Sequence, residues 1–135
     1  MKNYLILPCE IAVKSVIPAI RAAMAKELVE TYGLKQDQAA EILGVSQSAV
    51  SKYTRQVRGH VIKIDNIEDI QPLINNMINL LVEGNAKRTD LLGLFCKICI
   101  AIRKKGVMCK FCRKTEPTIK IEECSFCLAY NPLTE

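Results

Sequence analysis

Apolar residues recur every three or four positions along most of this chain, the period of helices rather than strands. Ile17, Ile20, Met24, Leu28 and Val29 share one face of a helix expected from Val13 to Tyr32, with Arg21, Lys26, Glu27 and Glu30 elsewhere. Pro18 belongs to its first turn or kinks it, and Gly33 is a fitting stop. Two helices should follow, from Lys35 to Leu43 and from Gln47 to Arg58, the second ended by Gly59. The stretch His60 to Ile64 is too short to classify and reads as an extended connector. Asp65 or Asn66 is then expected to cap a helix along which Ile67, Ile70, Ile74, Met77, Ile78 and Leu81 recur. Pro72 either kinks that helix or marks its true first turn, and Gly84 with Asn85 closes it. This stripe is expected to be core, with a dimer seam as the alternative. Thr89 is expected to cap a further helix through Leu91, Leu92, Phe95, Ile98 and Ile102, stopping near Gly106. Short turns, a strand at 118–121 and a frayed end over 131–135 complete the expectation.

The most informative stretch is QDQAAEILGVSQSAVSKYTR, residues 36–55. Ala39 and Ala40 are small enough to let two helices approach, and Leu43, Val45 and Val50 would seal the angle between them. Gly44 accepts a backbone conformation that a Cβ would strain. Ser46 is placed to cap the second helix, whose outer face carries Gln47, Ser48, Ser51, Lys52 and Arg55. Those side chains suit base edges and phosphates, so the pattern reads as a helix-turn-helix entering a major groove. The bland alternative is an αα-hairpin inside a helical domain.

At 135 residues the chain supports one compact domain with an appendage, or two small domains. The formal charge is +5, which favours a polyanionic partner. Ten basic residues (Lys87, Arg88, Lys97, Arg103, Lys104, Lys105, Lys110, Arg113, Lys114 and Lys120) face two acidic ones between positions 87 and 120. They suggest a second phosphate-contacting surface, or charge that offsets a thiolate cluster. The N-terminal apolar run is broken by Pro8, and no stretch reaches the ~20 apolar residues of a membrane span. A soluble, cytoplasmic protein with no membrane partner is expected.

Six of the seven cysteines form three C-x2-C pairs, Cys96/Cys99, Cys109/Cys112 and Cys124/Cys127. Such pairs in an intracellular chain point to metal or redox chemistry rather than a disulfide framework. Four thiolates suit zinc or an iron–sulfur cluster. Cys109, Cys112, Cys124 and Cys127 make the simplest set, because both pairs lie in turn-like sequence. Cys96 and Cys99 fall inside a predicted helix; they join Cys109/Cys112, complete a six-thiolate site, or are core. Zinc is preferred because the spacings suit a small finger that cannot build a core alone. Cys9 reads as an ordinary core residue and His60 as a surface or phosphate-facing one. With no Ser/His/Asp set, phosphate-cradling glycine loop or paired catalytic carboxylate, an enzyme is not expected.

On Ala40, Gly44, Val45 and Val50, the region from about residue 18 to 59 resembles the lambda-repressor-like, or xenobiotic-response-element, helix-turn-helix family. The longer stretch from Pro8 to Gly59 is similar to the N-terminal module of predicted archaeal transcription regulators, whose shorter members also end in a cysteine-rich tail. The resemblance implies base reading by Gln47, Ser48, Ser51 and Lys52. It implies phosphate contact by Gln36, Arg55 and Arg58. Tyr53 departs from it, standing where a smaller aliphatic is usual.

These readings converge on a mainly α protein: a helix-turn-helix bundle over 1–64, a helical linker or dimerisation segment over 65–86, and a cysteine-rich metal-binding module over 87–135. The function expected is sequence-specific regulation of transcription by a homodimer on double-stranded DNA. The alternatives are an iron–sulfur redox or iron sensor, and a zinc-stabilised adaptor that recruits transcription machinery.

Overall fold

The computed structural model describes residues 7–115 and Cys127. Cys124, the strand expected at 118–121 and the fraying expected at 131–135 lie outside them. Every regular element among the described residues is a helix: α1 (Pro8–Lys14), α2 (Val16–Glu30), α3 (Gln36–Leu43), α4 (Gln47–Thr54), α5 (Gln71–Glu83), α6 (Arg88–Lys104) and α7 (Cys109–Thr115).

The first helix departs from the sequence expectation. Pro8 opens α1 rather than interrupting structure, because its fixed φ suits the first helical position, where its missing N–H goes unused. The Glu10 carboxylate accepts from the Leu7 amide at 2.9 Å and secures the start. Pro18 then forbids α1 from running straight into α2: it has no N–H for the Lys14 carbonyl, and its ring crowds that oxygen. The chain breaks at Ser15 (φ −130°, ψ −67°), which is fully buried and donates its hydroxyl to the Ile11 carbonyl at 2.9 Å. Pro18 thus lies in the first turn of α2.

Later boundaries also shift. Neither Asp65 nor Asn66 caps α5; turns through Ile64, Ile67 and Ile70 intervene, and the helix starts at Gln71 with Pro72 in its first turn. Lys87, not Thr89, precedes the first residue of α6. The connector over 60–64 forms no strand, yet it alternates, with Ile62 and Ile64 buried and Val61 and Lys63 exposed.

One hydrophobic core runs through these helices. α2 lies at its centre and packs against α1, α3, α4, α5 and α6. Its Val16, Ile20, Ala25 and Leu28 are completely buried. The α5 stripe joins this core through Ile74, Met77 and Ile78, so those residues are occupied inside the chain rather than on a dimer seam. From α6, Ile98 and Ile102 complete the packing. None of the described helices is long and apolar enough to cross a membrane.

Candidate nucleic-acid interface

The turn between α3 and α4 is built from local signals. Gly44 takes the left-handed conformation (φ 70°, ψ 32°), which any Cβ would strain, and the Val45 amide reaches back to the Ala40 carbonyl at 3.0 Å. Ser46 Oγ accepts from the Ala49 amide at 3.1 Å and caps α4. Ala39 and Val50 are fully buried at the junction, and Ala40 and Ala49 nearly so. Small side chains there bring the helices together, and Val45 lies half-buried beside them.

α4 divides cleanly into two sides. Ala49, Val50 and Tyr53 face the core. At ~100° per residue, Gln47, Ser48, Ser51, Lys52 and Arg55 fall within an arc of about 140° on the other side. Gln47, Ser48 and Arg55 are exposed, while Ser51 and Lys52 are half-buried. Arg55 Nε donates to Ser51 Oγ at 3.1 Å and to the Ser51 carbonyl at 3.3 Å, which holds the guanidinium alongside the helix. Gln36 is the first residue of α3 and half-buried. Tyr53 is 5% exposed, so its ring fills the inward position where the resemblance implies a smaller aliphatic.

α4 is shorter than the expected helix to Arg58. It stops at Thr54, and Gln56 adopts a left-handed φ of 63°. The Val57 and Arg58 amides both turn back to the Lys52 carbonyl, at 2.9 and 3.2 Å. Arg58 therefore leaves the chain from a tight exposed loop, not from α4. His60 is exposed, with Nε2 3.4 Å from the Tyr53 carbonyl.

A trihelical unit with a glycine-centred turn and a solvent-facing polar helix is the frame of one DNA-binding family, and the chain's residues 26–67 match the helix-turn-helix family. This segment is a lambda-repressor-like helix-turn-helix domain. Such domains bind DNA and typify regulators without enzymatic activity. No curated protein and no solved structure is matched by the chain.

Beyond the helix-turn-helix, basic residues gather at a second place. Lys63, Lys110 and Lys114 line a cleft of about 460 Å³ between the connector and α7, together with Phe111. The sequence pattern places Lys110 and Lys114 in a basic tail; only the fold brings Lys63 beside them.

The cysteines of the described helices lie on α1, α6 and α7. Cys109 and Cys112 sit one turn apart on α7, both half-buried, in place of the turn-like structure expected there. Cys96 and Cys99 lie one turn apart on α6, Cys96 exposed and Cys99 buried. Among the described residues no three Cys, His, Asp or Glu side chains gather into a metal-holding group.

The unexpected centre is Arg103. In the sequence it belongs with the solvated charges of the tail, yet it is 4% exposed. Its Nη1 lies 3.7 Å from Cys9 Sγ, tying α6 to α1. Burial alone would disfavour its charge, but the Cys127 and Cys9 sulfurs outweigh that and push its pKa up. Burial pushes the Cys99 thiol up, with Arg103 opposing the shift. Cys9 is not the isolated core residue that its sequence context suggests; it is exposed and belongs to this cluster.

Proposed function

We propose that this protein is a sequence-specific transcription regulator that reads a major groove with α4 and binds as a homodimer on double-stranded DNA in the cytoplasm. The observation that carries the reading is the outward arc of Gln47, Ser48, Ser51, Lys52 and Arg55 on a helix whose opposite side is buried. Gln47 and Ser48, in the first turn, are the base readers best placed to reach an edge, because recognition helices approach with their N-terminal residues. Ser51 and Lys52 extend the contact. Arg55, Arg58 and Gln36 hold phosphates and set the register. Lys63, Lys110 and Lys114 supply a further basic surface for the flanking backbone. Selection of duplexes from a random pool tests the reading: an enriched motif with two related halves is expected, and enrichment no better than random DNA overturns it.

The same proposal includes a metal centre on Cys109, Cys112, Cys124 and Cys127, with zinc preferred over an iron–sulfur cluster; Cys109, Cys112 and Cys127 do not gather into a metal-holding group in this structure, so the ion itself would draw them together. A four-thiolate zinc site carries a formal charge of about 2− and needs neighbouring positive charge in a dry setting. Arg103 fits that need: it is a buried cation beside Cys127, and no carboxylate among the described residues pairs with it. Zinc there would supply a static cross-link between α7 and the segment bearing Cys124 and Cys127.

A further inference from the structure

A second site lies between α1, the start of α2 and α6. Arg103 is one of the lining residues of a cavity of about 350 Å³, whose walls are made apolar by Val13, Ile17, Phe95 and Ile100. Cys9 and Cys96, both exposed, stand on the same lining. The volume and the apolar walls suit a small organic molecule held by one polar contact.

Arg103 supplies that contact. Nη1 is engaged with Cys9 Sγ, and the Cys127 and Cys99 sulfurs also face the guanidinium, whereas Nε and Nη2 are buried and make no hydrogen bond among the described residues. These two nitrogens share one edge of the planar guanidinium, the edge that grips both oxygens of a carboxylate in parallel bonds. Leaving such donors bare inside a protein is costly, so the edge favours an acceptor. Arg103 is the one charged residue among those lining the cavity, and this selects a monoanion over a dianion such as phosphate.

We propose that the cavity binds a small monocarboxylic acid with an apolar body, its carboxylate on the Nε–Nη2 edge of Arg103 and its hydrocarbon against Val13, Ile17 and Phe95. A side-chain rotation turns the edge toward the incoming acid. The site touches α2 through Ile17, and α2 is also the helix against which α4 packs. Occupancy at α1 and α6 therefore bears on the element that supports the recognition helix.

The test is protection of Cys9 and Cys96 from iodoacetamide in the full-length chain, followed residue by residue by mass spectrometry. Hexanoate and benzoate are compared with hexanamide, benzamide and inorganic phosphate. Either acid is expected to slow alkylation at a concentration about tenfold lower than its amide, the advantage of a charge-assisted pair. Phosphate is expected to give no protection. Arg103→Leu should erase the preference for acid over amide. Because a buried substitution can cost the fold, Val13→Trp serves as the second variant: Val13 is 60% exposed, and the larger ring should block the cavity and abolish protection. Equal protection by acid and amide, protection that survives Val13→Trp, or no protection by either acid overturns the proposal. The measurement uses no DNA, so its failure leaves the reading of α4 untouched.

Discussion

Gly59 lies against the backbone of Pro18 so closely that a Cβ on it would stand 2.6 Å from the Pro18 carbonyl oxygen. The same atom would meet the Ala22 side chain at 2.7 Å, and Gly59 also holds a left-handed φ of 83°. The loop that ends α4 is thereby clamped onto α2. Gly59→Ala is expected to destabilise the protein by roughly 2–4 kcal/mol, since steric overlap and backbone strain add. Urea unfolding measures this, and a loss below about 0.5 kcal/mol would mean that the loop can back away.

Ser46 caps α4 through Ala49, so Ser46→Ala should cost about 1 kcal/mol, and Ser46→Asp should keep most of it. Paired urea midpoints check the order. If Asp and Ala were equally destabilising, the cap would not be what holds the first turn.

Gln47 and Arg58 should fail in different ways. Gln47→Ala is expected to cost about 1–3 kcal/mol on the selected duplex and little on random DNA, because it removes base readout. Arg58→Ala should weaken both alike and reduce the salt slope by about one phosphate contact. Binding titrations on the two duplexes at several salt concentrations separate these outcomes. Equal losses for Gln47→Ala would remove it from the readers.

Metal content distinguishes the thiolate sets. Protein prepared without oxygen is expected to be colourless and to hold about one zinc per chain, the loading of a single four-thiolate site. Cys109→Ser should lose the metal, while Cys9→Ser and Cys96→Ser retain it. Visible absorbance with iron and sulfide would replace zinc by a cluster, and loss of metal on Cys96→Ser would restore the wider ligand set.

How far each feature is legible in the sequence follows from how local it is. Gly44, Ser46 and Val50 announce the turn and the second helix because their roles depend on neighbours three or four residues away. The α5 stripe is legible for the same reason. α1 is not, because Pro8 serves equally as a breaker and as a first helical residue, and only the Glu10 contact decides. α4 ends early at Thr54 because Gln56, a residue type that gives no turn signal, turns left-handed just beyond it, held by the returns to the Lys52 carbonyl. Arg103 is hidden entirely: charge usually marks a wet surface, and nothing near it in sequence reveals that α1 comes to cover it.

The burial of Ile98 and Ile102 in the same core as Leu28 makes the N-terminal helices poor candidates for life on their own. A polypeptide halted at Gly84 would wet a seam that α6 now keeps dry, and sticky, half-melted material should result. Separating DNA binding from whatever the tail contributes therefore calls for single replacements at the surface, made in an intact chain.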